Sequence, residues 1–165
     1  MTDKANKIKL LLTDCDGVLT DAGVYYSAQG EELKRFSIRD GMGVERLRNL
    51  CGVDTGIMTG ENSAIVARRA EKLKMTHLYL GIKNKAAQLQ TILEHHGLGA
   101  DEVAFIGDDM NDLEILQLVG LSACPADAMP QVKAVVQYVC QSDGGRGAFR
   151  EFAEQIIQLR TQISL

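Results

Sequence analysis

Two hydrophobic periods alternate along the chain. Short apolar runs at residues 8–13, 53–58, 77–80 and 103–106 have the length of buried strands. Between and after them, residues 44–50, 64–73, 86–95 and 113–119 bring their apolar side chains round at helical spacing. Strand and helix taken in turn predict an α/β fold, a Rossmann-like parallel sheet with helices on both faces. Near the end, Phe149, Phe152, Ala153, Ile156 and Ile157 fall at i, i+3, i+4, i+7 and i+8, one apolar stripe that this domain or a neighbour must cover.

Residues 23–36 break the rhythm. Val24-Tyr25-Tyr26, the turn Ser27-Ala28-Gln29-Gly30 and the run that starts at Leu33 predict a β-hairpin projecting from the sheet. No internal repeat is visible, and with Pro125 and Pro130 as the only prolines there is no proline-rich linker. A length of 165 residues suits one α/β domain over residues 1–165.

Composition narrows the classes. Hydrophobic residues at 45% and charged ones at 24% describe a folded chain rather than a disordered one. A net charge of -4 argues against bulk binding to nucleic acid or an anionic membrane, which needs a basic face, so an anionic ligand must meet locally placed cations. Residues 1–7 are polar, and the apolar stretch after them is interrupted by Lys9 and stopped by Asp14, which predicts no signal peptide, no spanning helix and a cytoplasmic location. Cys15, Cys51, Cys124 and Cys140 are widely spaced with no CxxC pair, the pattern of reduced thiols rather than of disulfides or a zinc site. His95 and His96 are expected on a solvated helix end.

Ligands of an open parallel sheet bind beyond the carboxyl ends of its strands. Four of those places carry suitable groups: Asp14-Cys15-Asp16-Gly17-Val18-Leu19-Thr20, then Thr59-Gly60, then Lys85, then Gly107-Asp108-Asp109-Met110-Asn111-Asp112. Asp14 and Asp16 can offer one carboxylate as nucleophile and the other as proton donor, with Gly17 allowing the turn between them. Each feature also has a plainer reading. Asp-Gly is a common turn, Asp108, Asp109 or Asn111 can cap a helix, Thr-Gly is often a cap, and a lone Lys is usually solvated. Their conjunction after four successive strands argues for a site, and its carboxylates suit Mg²⁺, a hard cation that prefers oxygen.

These residues resemble the motifs of the haloacid dehalogenase-like phosphatases. The resemblance implies that Asp14 is the nucleophile and a metal ligand, and that Asp16 is the general acid and base with its carbonyl on Mg²⁺. Asp108 would be the third protein ligand. Thr59 and Lys85 would hold the transferring phosphoryl group, and Asp109 and Asp112 would support the metal and the lysine. A closer resemblance covers nearly the whole chain, to the capless subgroup that hydrolyses 3-deoxy-D-manno-octulosonate 8-phosphate (KDO 8-phosphate) and related 2-keto-3-deoxy sugar-acid phosphates. It rests on the hairpin, on Phe36-Ser37-Ile38-Arg39-Asp40-Gly41 and on Gly144-Gly145-Arg146-Gly147-Ala148-Phe149-Arg150-Glu151. The short stretch from Asp14 to Lys85 agrees, because it leaves no room for a cap domain.

That resemblance implies a homotetramer in which a neighbour covers the site; a neighbour docked on the hairpin is expected to bring Arg69 and Lys72 toward a phosphorylated sugar acid, and the glycines of residues 144–147 are expected to be flexible enough to close an entrance. Arg39, Asp40, Gly41, Glu61, Arg69 and Lys72 are the candidate substrate contacts. At one of them the chain departs from the eight-carbon pattern, which commonly has Arg where this sequence has Glu61. Phosphatases for the nine-carbon KDN 9-phosphate are similar and carry Glu there, with counterparts of Arg69 and Lys72.

Two rival chemistries are visible. Residues 140–146, Cys140-Gln141-Ser142-Asp143-Gly144-Gly145-Arg146, satisfy the C-x5-R pattern of cysteine-dependent phosphatases but ignore the carboxylates and Lys85. A phospho-receiver module shares the acidic pair, Thr and Lys, yet would need an Asp after the third strand, where residues 77–81 have none.

Overall fold

The computed structural model describes residues 1–161. The chain begins with α1 (Thr2–Lys7) and β1 (Leu10–Thr13), followed by the hairpin strands β2 (Tyr25–Ser27) and β3 (Gly30–Leu33). Next come α2 (Ile38–Cys51), β4 (Asp54–Met58), α3 (Ala64–Lys72), β5 (His77–Tyr79) and α4 (Lys85–His96). The second half holds β6 (Val103–Ile106), α5 (Leu113–Leu118), β7 (Leu121–Cys124), α6 (Pro130–Lys133), β8 (Tyr138–Val139) and α7 (Ala148–Thr161).

Six strands form one sheet in the order β5-β4-β1-β6-β7-β8, and every pairing in it is parallel. Burial of β1 on both faces follows from its central place: all four of its residues are buried. Alternate side chains feed two cores. Leu11, Ile57, Ala104 and Ile106 pack with α2 and α7, whereas Leu10, Leu12, Met58 and Phe105 pack with α4 and α5. No cap domain interrupts this layering among the described residues.

The apolar stripe of α7 is covered within the chain itself. Phe149, Phe152, Ala153, Ile156 and Ile157 are buried beside Val44 and Leu47 of α2, and Arg46 Nε donates to Glu154 Oε1 at 2.5 Å across that seam.

Several expectations shift. Helix α2 starts at Ile38, well before Val44, because Ser37 Oγ accepts from Arg39 N and Asp40 N as an N-cap, while Gly41 and Gly43 dilute the helical signal of its first turns. Arg39, Asp40 and Gly41 therefore belong to a helix. The second hairpin strand is Gly30–Leu33, ahead of the run expected from Leu33 onward. Strands β7 and β8 are additions to the sequence reading; the first reads only Leu-Ser-Ala-Cys and the second is a two-residue edge.

Candidate active site

β1 is flanked by β4 and β6, so chain order reverses on either side of it and a crevice opens at its carboxyl end. Asp14 follows the last residue of β1, and its N–H donates to Ile106 O at 2.9 Å, continuing the ladder to β6. Thr59 follows β4, Lys85 begins α4, and Asp108 lies just past β6. Asp14, Asp16, Thr59, Glu61, Asp108 and Asp109 line a single concavity of about 260 Å³. Three of the strand-end motifs therefore meet at this concavity, and the fourth, Lys85, joins them through Asp14.

Lys85 anchors the floor. Its side chain is buried, and Nζ donates to Asp14 Oδ1 at 2.6 Å and to Asp112 Oδ1 at 2.5 Å. Burial pulls this ammonium down, but the two carboxylates outweigh it and hold the group above the ordinary lysine value. Asp112 is fully engaged, because its Oδ2 accepts from Asp108 N at 3.0 Å.

Asp14 and Asp108 are less settled. Burial raises the Asp14 carboxyl, Lys85 pulls it back, and Asp112 raises it again, with the net direction upward. Asp108 is pushed up to about 8 by burial and by the neighbouring carboxylates of Asp14, Asp112 and Asp109. Asp108 Oδ1 is buried with no hydrogen-bond partner among the described residues. Carboxylate oxygens of Asp14, Asp108 and Asp112 lie within 4.8 Å of one another. A divalent cation answers all of these features: it gives the orphaned oxygen a partner and relieves the repulsion. Because Asp112 is already committed, the carboxylates open to a metal are Asp14 and Asp108, a hard oxygen set that fits Mg²⁺ and makes it the cofactor of this site.

Gly17 makes the cluster possible. It sits at φ +95°, and a Cβ there would stand 2.0 Å from Asp108 Oδ2. Thr20 Oγ1 closes the turn by accepting from Gly17 N at 3.3 Å and Ala22 N at 3.2 Å. Asp109 Oδ1 accepts from Met110 N at 2.6 Å, so it caps the next turn while facing the concavity. Thr59 is buried, with Oγ1 accepting from Glu61 N at 3.2 Å.

Five of the candidate substrate contacts lie away from this concavity in the same chain. Asp40 is buried and its Oδ1 accepts from Arg150 N at 2.9 Å, at the start of α7. Arg69 Nη2 donates to Ser37 O at 2.8 Å, and its guanidinium stacks 5.4 Å from the Phe36 ring centre. Gly41 and Lys72 line a second concavity between α2 and α3 beside Arg48, and Arg39 is exposed. Glu61 alone of the six joins Asp14.

The sequence reading missed Lys34. Its Nζ lies 2.5 Å from Asp16 Oδ1 and 3.1 Å from Glu31 Oε2. A lysine at a hairpin end has the pattern of a solvated residue, and only the folded hairpin brings it inward. The glycine-rich stretch is also corrected. Gly144 and Gly145 are buried and held, with Gly144 N donating to Asp127 Oδ1 at 2.9 Å and Gly145 N to Val18 O at 2.8 Å. They are small because Gly17 and Thr20 backbones press on them, rather than to form a flap. The cysteine rival fails here too. Burial and the neighbouring Glu151 push the Cys140 thiol far up, its Sγ donates to Ala148 O at 3.5 Å, and Arg146 is exposed.

Fold and site together define a phosphatase of the α/β type with an aspartate cluster at its sheet end, and comparison with known proteins agrees on the phosphatase. A sequence model of the haloacid dehalogenase-like hydrolases matches residues 62–150. The chain is 40% identical to the 3-deoxy-D-manno-octulosonate 8-phosphate phosphatase KdsC of Escherichia coli strain K12, over 93% of this chain and 81% of that protein. It is 36% identical to KdsC of Haemophilus influenzae, over 100% of this chain and 91% of that one. Among solved structures, the Moraxella catarrhalis 3-deoxy-D-manno-octulosonate 8-phosphate phosphatase, in complex with magnesium ion, phosphate ion and KDO, matches with TM-score 0.93 and 34% identity, over 98% of this chain and 92% of that one. The cobalt-bound Haemophilus influenzae phosphatase matches with TM-score 0.92 and 37% identity, over 96% and 92%. The chain belongs to the haloacid dehalogenase-like hydrolase family, as a capless member and a phosphatase.

Proposed function

We propose that this enzyme hydrolyses a 2-keto-3-deoxy sugar-acid phosphate, KDO 8-phosphate first among them, through an aspartyl phosphate on Asp14. The observation that carries the chemistry is the pinning of Lys85 between Asp14 and Asp112 beneath the concavity that also holds Asp16, Thr59 and Asp108. Identity to KdsC over 93% of the chain supports the substrate class.

Asp14 Oδ attacks phosphorus, and the bond to the sugar oxygen breaks. Lys85 holds the nucleophile and, with Thr59, offers donors to the phosphoryl oxygens. Asp16 gives its proton to the departing oxygen and then takes one from the water that cleaves the aspartyl phosphate. Mg²⁺, held by the Asp14 and Asp108 carboxylates and the Asp16 carbonyl, would neutralise charge on the transferring group.

The concavity holds Glu61 alone of the six candidate substrate contacts, and the remaining ones lie elsewhere in the chain. This supports a homotetramer in which a neighbour presents Arg39, Arg69 or Lys72. Hairpin residues Tyr25, Tyr26 and Leu33 are 60%, 71% and 63% exposed and supply apolar area for such a contact. Asp40 and Gly41 would act indirectly, by placing α2. No helix among the described residues is long and apolar enough to cross a membrane. A cytoplasmic location and a small-molecule substrate, rather than nucleic acid or lipid, accord with the acidic charge.

One specific observation favours KDN 9-phosphate: Glu61 lines the concavity with Asp14, where a carboxylate can accept from sugar hydroxyls but repels a substrate carboxylate. Steady-state rates over a panel of sugar-acid phosphates, with Mg²⁺ and with excess chelator, test both readings. Preference for KDO 8-phosphate that vanishes with chelator is the expected result; preference for the nine-carbon ester transfers the assignment, and full activity in chelator removes the mechanism.

A further inference from the structure

We propose that Lys34 is a positioning residue, which fixes Asp16 Oδ1 and so turns Oδ2 toward the leaving oxygen; the inference rests on the reading of Asp16 as proton donor. Lys34 follows directly on β3, in a hairpin whose side chains are exposed apart from the half-buried Glu31, yet its own side chain is only 1% exposed. Burying an ammonium with its long stem costs solvation and rotamer entropy, so the contacts that hold it must be strong.

Those contacts form a chain. Nζ reaches Asp16 Oδ1 at 2.5 Å and Glu31 Oε2 at 3.1 Å, and Glu31 Oε1 accepts from Ser63 Oγ at 2.5 Å. Ser63 is the residue before α3, just past Thr59-Gly60-Glu61. Thus the hairpin is tied at one end to the helix after the phosphoryl-binding threonine and at the other to the catalytic acid. Anchoring the hairpin would need no more than the Glu31–Ser63 bond to the start of α3. The additional short contact to Asp16 bears on the site itself. It occupies Oδ1, while Asp16 Oδ2 has no hydrogen bond among the described residues.

In the first half-reaction the bond from Asp14 Oδ to phosphorus forms as the bond from phosphorus to the leaving oxygen breaks. The electron pair left on that oxygen takes the proton from Asp16 Oδ2. An Asp16 free to rotate would deliver it less well, and the loss would grow with the basicity of the leaving group.

The test uses the full chain with Mg²⁺ and three small esters: p-nitrophenyl, phenyl and benzyl phosphate. Nitrophenolate leaves without a proton, whereas benzyl alkoxide needs one. In Lys34→Met the ratio of kcat/KM for benzyl over p-nitrophenyl phosphate should fall roughly tenfold, a part of the 10²–10⁴ that a proton donor can supply. Asp16→Asn should lower the same ratio further. Because both rates come from one preparation, the folded fraction cancels. Lys34→Gln, whose shorter stem keeps a polar head but does not reach Asp16, should lower the ratio likewise and carries the comparison if Lys34→Met does not accumulate. An unchanged ratio in Lys34→Met, or in Lys34→Gln standing in for it, beside a lowered one in Asp16→Asn overturns the role of Lys34 alone. An unchanged ratio in Asp16→Asn overturns the reading of Asp16. Generic esters exclude an effect through sugar recognition.

Discussion

Lys85 Nζ meets Asp14 Oδ1 at 2.6 Å, with both side chains buried. A cation placed there holds the nucleophile in one rotamer and remains charged because Asp14 and Asp112 both accept hydrogen bonds from it. Replacing Lys85 by Met should lower kcat/KM about 10²–10³-fold, the scale set by loss of one fixed donor to a developing oxyanion. Asp14→Asn should abolish turnover while circular dichroism shows the fold retained. Substantial turnover by Asp14→Asn would sink the aspartyl mechanism.

Metal dependence should carry a pH signature. Asp14 and Asp108 titrate above the ordinary value of 3.8, Asp108 at about 8, so the folded apo-protein holds protons that the unfolded chain has released. Stability of the apo-protein should therefore decline as pH rises from about 4 toward 8, because the unfolded state binds fewer protons in that window. Mg²⁺ binds the deprotonated pair and offsets the loss. The gain in Tm on adding Mg²⁺ should be larger at pH 8 than at pH 6 and should shrink in Asp108→Asn. An equal gain at both pH values would place the metal elsewhere.

Gly17→Ala should weaken metal binding. Its Cβ would stand 2.0 Å from Asp108 Oδ2, and φ +95° adds backbone strain of about 1–3 kcal/mol. Displacing Asp108 should reduce Mg²⁺ affinity by roughly 10–100-fold, measurable by calorimetry. Affinity at the wild-type level would show that the turn relaxes without moving the ligand.

Glu61→Arg should shift the ratio of kcat/KM between KDO 8-phosphate and KDN 9-phosphate, because a cation at the concavity wall favours whichever ester places its carboxylate there. A ratio that stays put would remove Glu61 from specificity.

Tyr26→Glu should lower the oligomeric state seen by sedimentation. Tyr26 is 71% exposed on the hairpin, and a carboxylate in a docked apolar contact is costly. Rates on the sugar acid should drop with it, whereas p-nitrophenyl phosphate, which needs only the Asp14 concavity, should be spared. An active monomer would overturn the shared site.

Legible in the amino-acid pattern were the strand-and-helix alternation, four of the six sheet strands and the motif residues that meet at the crevice. Each of these depends on local spacing: apolar runs of strand length, helical periodicity and polar groups placed directly after a strand. Asp14, Thr59, Lys85 and Asp108 were legible for that reason, since a parallel sheet brings the ends of neighbouring strands together whatever the detail.

The rest depends on approach between distant segments. Strand β7 reads Leu-Ser-Ala-Cys and β8 has two residues, too short for a pattern, and each exists because a neighbouring strand supplies its hydrogen bonds. Gly144 resembles a flexible residue until Gly17 O is found where its Cβ would be. Lys34 has the sequence context of a solvated lysine, and its burial against Asp16 arises from a hairpin that folds back over 18 residues of chain. Periodicity reports which face of an element meets the core; it carries no information on which two side chains from separate elements come within hydrogen-bond distance, because that is set by how the elements pack.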